Sequence, residues 1–152
     1  MKIRTDFVTN SSSSSFIVIK NLNKEKVESY AGETIQVPET FGGNYQFGWE
    51  QIKYNDIGSK INWCYLIACD MDDSKKERCI KMLKDVIMNE TGADDVEFNI
   101  SIDYDSEFNG YIDHQSNFCE NESNAEMFES ESDLSTFIFC KSSYIQGDND
   151  NH

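Results

Sequence analysis

The most specific chemical signal in the chain is the segment 105–116, DSEFNGYIDHQS, where oxygen-bearing side chains recur at alternate positions. Against the twelve-residue Ca²⁺-binding loop pattern, Asp105, Glu107 and Asn109 fall at positions 1, 3 and 5, and Asp113 falls at position 9. Gly110 takes the sharp-turn position and Ile112 the hydrophobic one. Calcium needs about six to eight oxygens, and this spacing brings alternate side chains round one centre. The pattern breaks at its end, where Ser116 stands in place of a bidentate glutamate, and strand-forming residues precede it instead of a helix. Weak Ca²⁺ binding at Asp105, Glu107, Asn109 and Asp113 is the expectation if the loop holds a metal. An acidic hairpin turn is the stronger reading of the same residues.

Asp113-His114 also has the makings of an acid–base pair, with Ser116 or Cys119 as nucleophile. A hydrolase of that kind needs a third group to orient the base and donors for an oxyanion. No residue pattern supplies them. The acidic neighbours of Cys119 also raise its pKa and dull it as a nucleophile. His114 and Cys119 are too few for zinc. The expectation is a protein without a catalytic site and without a resident cofactor.

Charge gives a broader lead. Residues 1–90 hold 12 Lys/Arg against 13 Asp/Glu, whereas residues 91–152 hold 15 Asp/Glu against Lys141 alone. A surface this one-sided repels nucleic acid and anionic membrane and draws in basic partners. Glu120, Glu122, Glu126, Glu129, Glu131 and Asp133 are the candidate partner-binding residues. Their carboxylates would stand in for backbone phosphates and occupy a Lys/Arg groove on a nucleic-acid-binding host or defence protein. The competing reading is an acidic face that serves only solubility. Asp70, Asp72 and Asp73 need no special role, because carboxylates just before a helix are favoured by its dipole.

These residues must be positioned by a fold. A chain of 152 residues that is 38% hydrophobic and 12% aromatic supports one core. It carries one proline, Pro38, so a Pro-rich linker is excluded. We expect a single α+β domain over 1–146, a mainly antiparallel sheet with helices packed on one face, and a flexible polar tail over 147–152. Five cysteines without a CxxC pair fit a reduced cytoplasmic setting, with Cys64, Cys69 and Cys79 acting as small hydrophobes. The longest apolar run near the N-terminus, Phe16-Ile17-Val18-Ile19, is too short for a signal-peptide core.

Along the chain, Phe16–Lys20 predicts a strand, with the serines of 11–15 as a tight connection before it. Val27 and Tyr30 predict a helix over 24–31, stopped by Gly32. Thr34–Val37 predicts a strand ended by Pro38. Phe41–Tyr54 reads as glycine-punctuated turns whose rings plug the core. Residues 61–69 fit a strand by alternation or a helix capped by Ser59. Ser74 and Glu77 have capping-box spacing before a helix that Gly92 ends. Val96, Phe98, Ile100 and Ile102 predict a half-buried strand, and Asn109-Gly110 a hairpin turn leading to Tyr111–Asp113. Ser123/Glu126 suggests another capped helix. Leu134, Phe137 and Ile138 suggest one behind Ser130 or Ser132, and Ser143–Gln146 reads as an edge strand.

The opening KIRTDFVTNSSSSSF, with YIDHQS at 111–116 and YIQGDND at 144–150, resembles a family of small proteins from Gram-positive and related bacteria and their phages. The resemblance implies an origin in a bacterium or a mobile element, and no particular activity or catalytic residue. Small acidic phage proteins are often inhibitors of host defence, anti-CRISPR proteins among them. By that analogy of setting and charge, an inhibitor is the implied role.

Overall fold

Residues 61–69 alternate like a strand yet are apolar on nearly every side. The computed structural model describes residues 13–47, 52–101, 107–112 and 122–149, and it makes this segment part of helix α1 (Ile57–Cys69). Ten of its thirteen residues are buried. A helix enclosed on all sides needs no amphipathic stripe, which is why alternation and helical period could not be told apart. Asp56 caps it, its carboxylate accepting from the Ser59 N–H at 2.9 Å, so Ser59 lies inside the first turn and is not the cap.

Helix α2 (Asp73–Thr91) buries Cys79, Leu83, Val86 and Ile87 on one face. Its cap is Asp72, two residues before the predicted Ser74. The Asp72 carboxylate accepts from the Lys75 N–H at 3.1 Å, and the Ser74 hydroxyl donates to the same oxygen at 3.2 Å. A charged acceptor at the helix N-terminus outcompetes a hydroxyl further in. Gly92 ends the helix at φ +79°, as expected.

The strands are β1 (Ser13–Val18), β2 (Thr34–Val37), β3 (Gln46–Phe47), β4 (Lys53–Tyr54), β5 (Asp95–Phe98), β6 (Ile100–Ser101), β7 (Phe108–Asn109), β8 (Tyr111–Ile112) and β9 (Tyr144–Asn149). An antiparallel sheet runs β1-β9-β4, and the pairs β2–β5, β3–β8 and β6–β7 are parallel ladders. Helix α3 (Glu131–Phe139) follows a 3-10 helix over Glu122–Glu129. The class is α+β, as the sequence implies. The core joins Ile35, Val37, Trp63, Leu83, Ile87 and Phe137. Phe47 plugs it edge-on against Trp63 at 5.2 Å and Tyr54 at 5.5 Å. Among the described residues no helix is long and apolar enough to cross a membrane.

Four further local expectations change. Residues 24–31 are not helical: the Glu25 N–H donates to Phe139 O at 2.7 Å and the Tyr30 N–H to Thr91 O at 2.8 Å. The second of these takes a donor that a helix would have used, and both draw the segment onto other elements. Ser13–Ser15 are strand residues paired with Gly147–Asn149, so part of the serine run belongs to the sheet. Strand β9 lies at the sheet's centre, not its edge, and runs into the segment read as a tail. Asn109-Gly110 makes no hairpin, because the strands on either side pair parallel with different partners, β7 with β6 and β8 with β3. Gly110 is needed for closeness instead: a Cβ there would lie 2.6 Å from Ile100 Cγ2 and 3.1 Å from Tyr45 O.

Candidate functional site

The 3-10 helix and α3 form one acidic face. Ser130 joins them, its hydroxyl accepting from the Asp133 N–H at 3.0 Å and so capping α3. Behind this cap Leu134, Phe137, Ile138 and Phe139 are buried, and Met127 and Phe128 anchor the 3-10 segment in the same core. The carboxylates are therefore carried on elements with an apolar side locked in place. Glu129 and Glu131 are exposed, while Glu126 and Asp133 are half-buried. Glu131 and Asp133 lie in the first turn of α3, where its dipole favours negative charge. Glu129, Glu131 and Asp133 form no ion pair among the described residues.

The remaining predicted residues are placed unevenly. Glu120 lies outside the described residues, and Glu122 opens the 3-10 helix. Of the calcium-pattern set, Asp105 and Asp113 lie outside the described residues, as do His114, Ser116 and Cys119. Glu107 is exposed, and Asn109 sits in β7, its carbonyl accepting from Gln46 Nε2 at 2.9 Å. Among the described residues no group of three or more His, Cys, Asp or Glu is arranged to hold a metal. The described cysteines are unpaired thiols, and burial pushes Cys64, Cys69 and Cys79 above the ordinary thiol pKa.

Beside the acidic face lies a polar cleft of about 400 Å³, whose lining includes Asn21, Lys24, Asn89, Glu90, Glu131 and Ser135. Glu90 Oε1 accepts from Ser135 Oγ at 2.7 Å and from Lys24 Nζ at 2.9 Å. Partial burial raises the Glu90 pKa, but the bonds from Ser135 and Lys24 and the Lys24 charge together outweigh it. The carboxyl is held below its ordinary value and is ionised at neutral pH.

Under the cleft sits a buried cation. Lys60 of α1 is 0% exposed, and its ammonium donates to Cys140 O at 2.8 Å and Ser143 O at 3.0 Å. It thereby ties the central helix to the end of α3 and the turn into β9. Desolvation lowers its pKa to about 8, against the opposing pull of Glu25 and smaller neighbours. Nearby, Asn62 Nδ2 holds the loop over α1 through Gly42 O at 3.2 Å and Asn44 O at 2.9 Å. Asn62 Oδ1 and Trp63 Nε1 are buried with no hydrogen-bond partner among the described residues.

Sequence reasoning passed over Lys24, Lys60 and Glu90. Lys60 had a signal, a lone charge just before an apolar run that had to be interior. The Lys24–Glu90 pair had none, because its members are 66 positions apart and meet only through the fold. Comparison with protein-family models, with curated proteins and with solved structures finds no match to this chain.

Proposed function

We propose that this protein is a non-catalytic acidic binding protein that offers the face built from the 3-10 helix and α3 to a basic protein surface. One observation carries the reading. Residues 122–139 hold five Asp/Glu and no Lys/Arg, on elements whose other side is anchored in the core. Carboxylates fixed in this way can be matched to a pattern of lysines and arginines, which a loose acidic tail cannot do. Such a face steers a basic partner into encounter and makes binding sensitive to salt. A groove that normally holds a phosphate backbone suits it best, because Lys/Arg arrays of that kind are built to bind repeated negative charge. The resemblance of its opening, of 111–116 and of 144–150 to proteins of bacteria and their phages favours, by analogy of setting and charge, a nucleic-acid-binding host or defence protein as the target, with the chain acting as its inhibitor.

The test is capture from bacterial lysate on the immobilised protein at low and high salt, followed by elution with RNA. Expected are nucleic-acid-binding proteins that are retained at low salt and released by both salt and RNA. Recovery of no basic protein at low salt, or retention that RNA does not disturb, contradicts the reading.

A further inference from the structure

We propose that the cleft between Lys24, Asn89, Glu90, Glu131 and Ser135 is the seat for one arginine side chain of the partner, with Lys24 as its internal stand-in. This rests on the reading of the chain as a binder of basic surfaces, and adds where the anchoring contact lies. The cleft's volume of about 400 Å³ is in the range of small-ligand sites. Such sites are ordinarily apolar with a few polar groups, whereas this lining is rich in acceptors: two carboxylates, an amide and a hydroxyl among the residues named. A lining of that kind suits a charged donor better than an apolar ligand.

The cleft already holds a cation. Lys24 Nζ sits 2.9 Å from Glu90 Oε1, and the Ser135 hydroxyl donates to the same oxygen at 2.7 Å. Glu90 Oε2 takes no hydrogen bond from the described residues. Glu131, at the junction with the acidic face, makes no ion pair among them. An ammonium is a point charge and uses one of these acceptors. A guanidinium is a planar fork of five donors and can engage a carboxylate edge and a second acceptor together. The stand-in is weakly held, because the Lys24 side chain is 57% exposed and exposed pairs contribute little. An arriving arginine can therefore displace it, which also explains why a lysine should occupy the cleft of a protein that binds cations.

The measurement is a titration of ¹⁵N-labelled protein with N-acetyl-arginine amide and, separately, N-acetyl-lysine amide. Expected are saturable shifts at the amides of Asn89, Glu90 and Ser135, with arginine bound more tightly than lysine. Lys24→Met removes the competitor and should tighten the arginine probe by about threefold. Glu90→Gln should weaken it by about tenfold. Ser135→Ala, which keeps the carboxylate, should weaken it less, so the order of variants is informative even if Glu90→Gln unsettles the fold. Equal, non-saturating shifts from both probes, or an unchanged affinity in Lys24→Met, would overturn the seat. Lysate capture that survives Glu90→Gln but is lost in Glu129→Lys would overturn the seat and leave the acidic face standing. Saturable arginine binding without capture of any basic protein would support the seat and count against the wider function.

Discussion

Helix α2 carries five Lys/Arg and four Asp/Glu over 73–91, whereas the 3-10 helix and α3 carry five Asp/Glu and no Lys/Arg over 122–139. Several charges of α2 sit in ion pairs. Lys81 meets Asp85 at 3.0 Å, Lys84 meets Asp95 at 3.1 Å, and Glu90 meets Lys24 at 2.9 Å. On α3, Glu131 and Asp133 lie in the first turn and form no ion pair among the described residues. Two helices packed on each other in one core thus differ in what they present outward. One carries charges of both signs, several of them in ion pairs, and the other carries carboxylates alone. The chain-wide imbalance does not form a separate lobe, because β1, β2, β3 and β4 all pair with strands from the acidic half.

The largest effect that separates the two helices is expected at Lys60, which pins the end of α3 and has no counterpart under α2 among the described residues. Lys60→Ala leaves a cavity and strips two carbonyls of their donor, a loss of about 3 kcal/mol by denaturant melts. Hydrogen exchange should quicken first in α3 and β9, and uniform loosening of α2 with α3 would break the distinction. The native state holds the Lys60 proton less tightly than the unfolded chain does, with a pKa near 8 against 10.5. Stability should therefore rise as pH climbs through that window, by up to about 3 kcal/mol. Lys60→Met should flatten the rise, and a rise that persists in it would assign the titration elsewhere.

Cap removal comes next. Asp72→Ala and Ser130→Ala should each lower stability by about 1 kcal/mol. Only the second should also weaken binding of a basic probe, since it frays the turn that carries Glu131 and Asp133. Equal weakening by both would mean that helix order near the face is irrelevant. The smallest effect belongs to the ion-paired surface of α2: Lys81→Met should cost no more than about 0.5 kcal/mol and leave probe binding unchanged.

Much of this contrast could be read from the sequence. Ile80, Leu83, Val86, Ile87 and Gly92 outlined α2, and Ser130 with Leu134, Phe137 and Ile138 outlined α3. Val96 and Ile100 are buried on one side of β5 and β6 while Glu97 and Asn99 are exposed, as alternation predicted. What failed was decided by distant groups. Val27 and Tyr30 have helical spacing, but their segment is drawn out by carbonyls of Phe139 and Thr91. Asn109-Gly110 has the composition of a hairpin, but Gly110 is selected by the nearness of Ile100 and Tyr45. The acidic face was visible because its residues lie close together in the chain. The cleft was not, because Lys24, Glu90 and Ser135 come from three separate segments.

The most direct test of the central claim compares two charge-matched variants for affinity toward a hexa-arginine peptide at several salt concentrations. Glu129→Lys/Glu131→Lys alters the acidic face, and Asp73→Lys/Glu77→Lys makes the same change in net charge on exposed positions of α2. If the face recognises the cation, the first variant loses at least about tenfold in affinity and much of its salt dependence, while the second stays within about threefold of the parent protein. Equal losses in both would show that net charge alone attracts the peptide, and would contradict a binding face on α3.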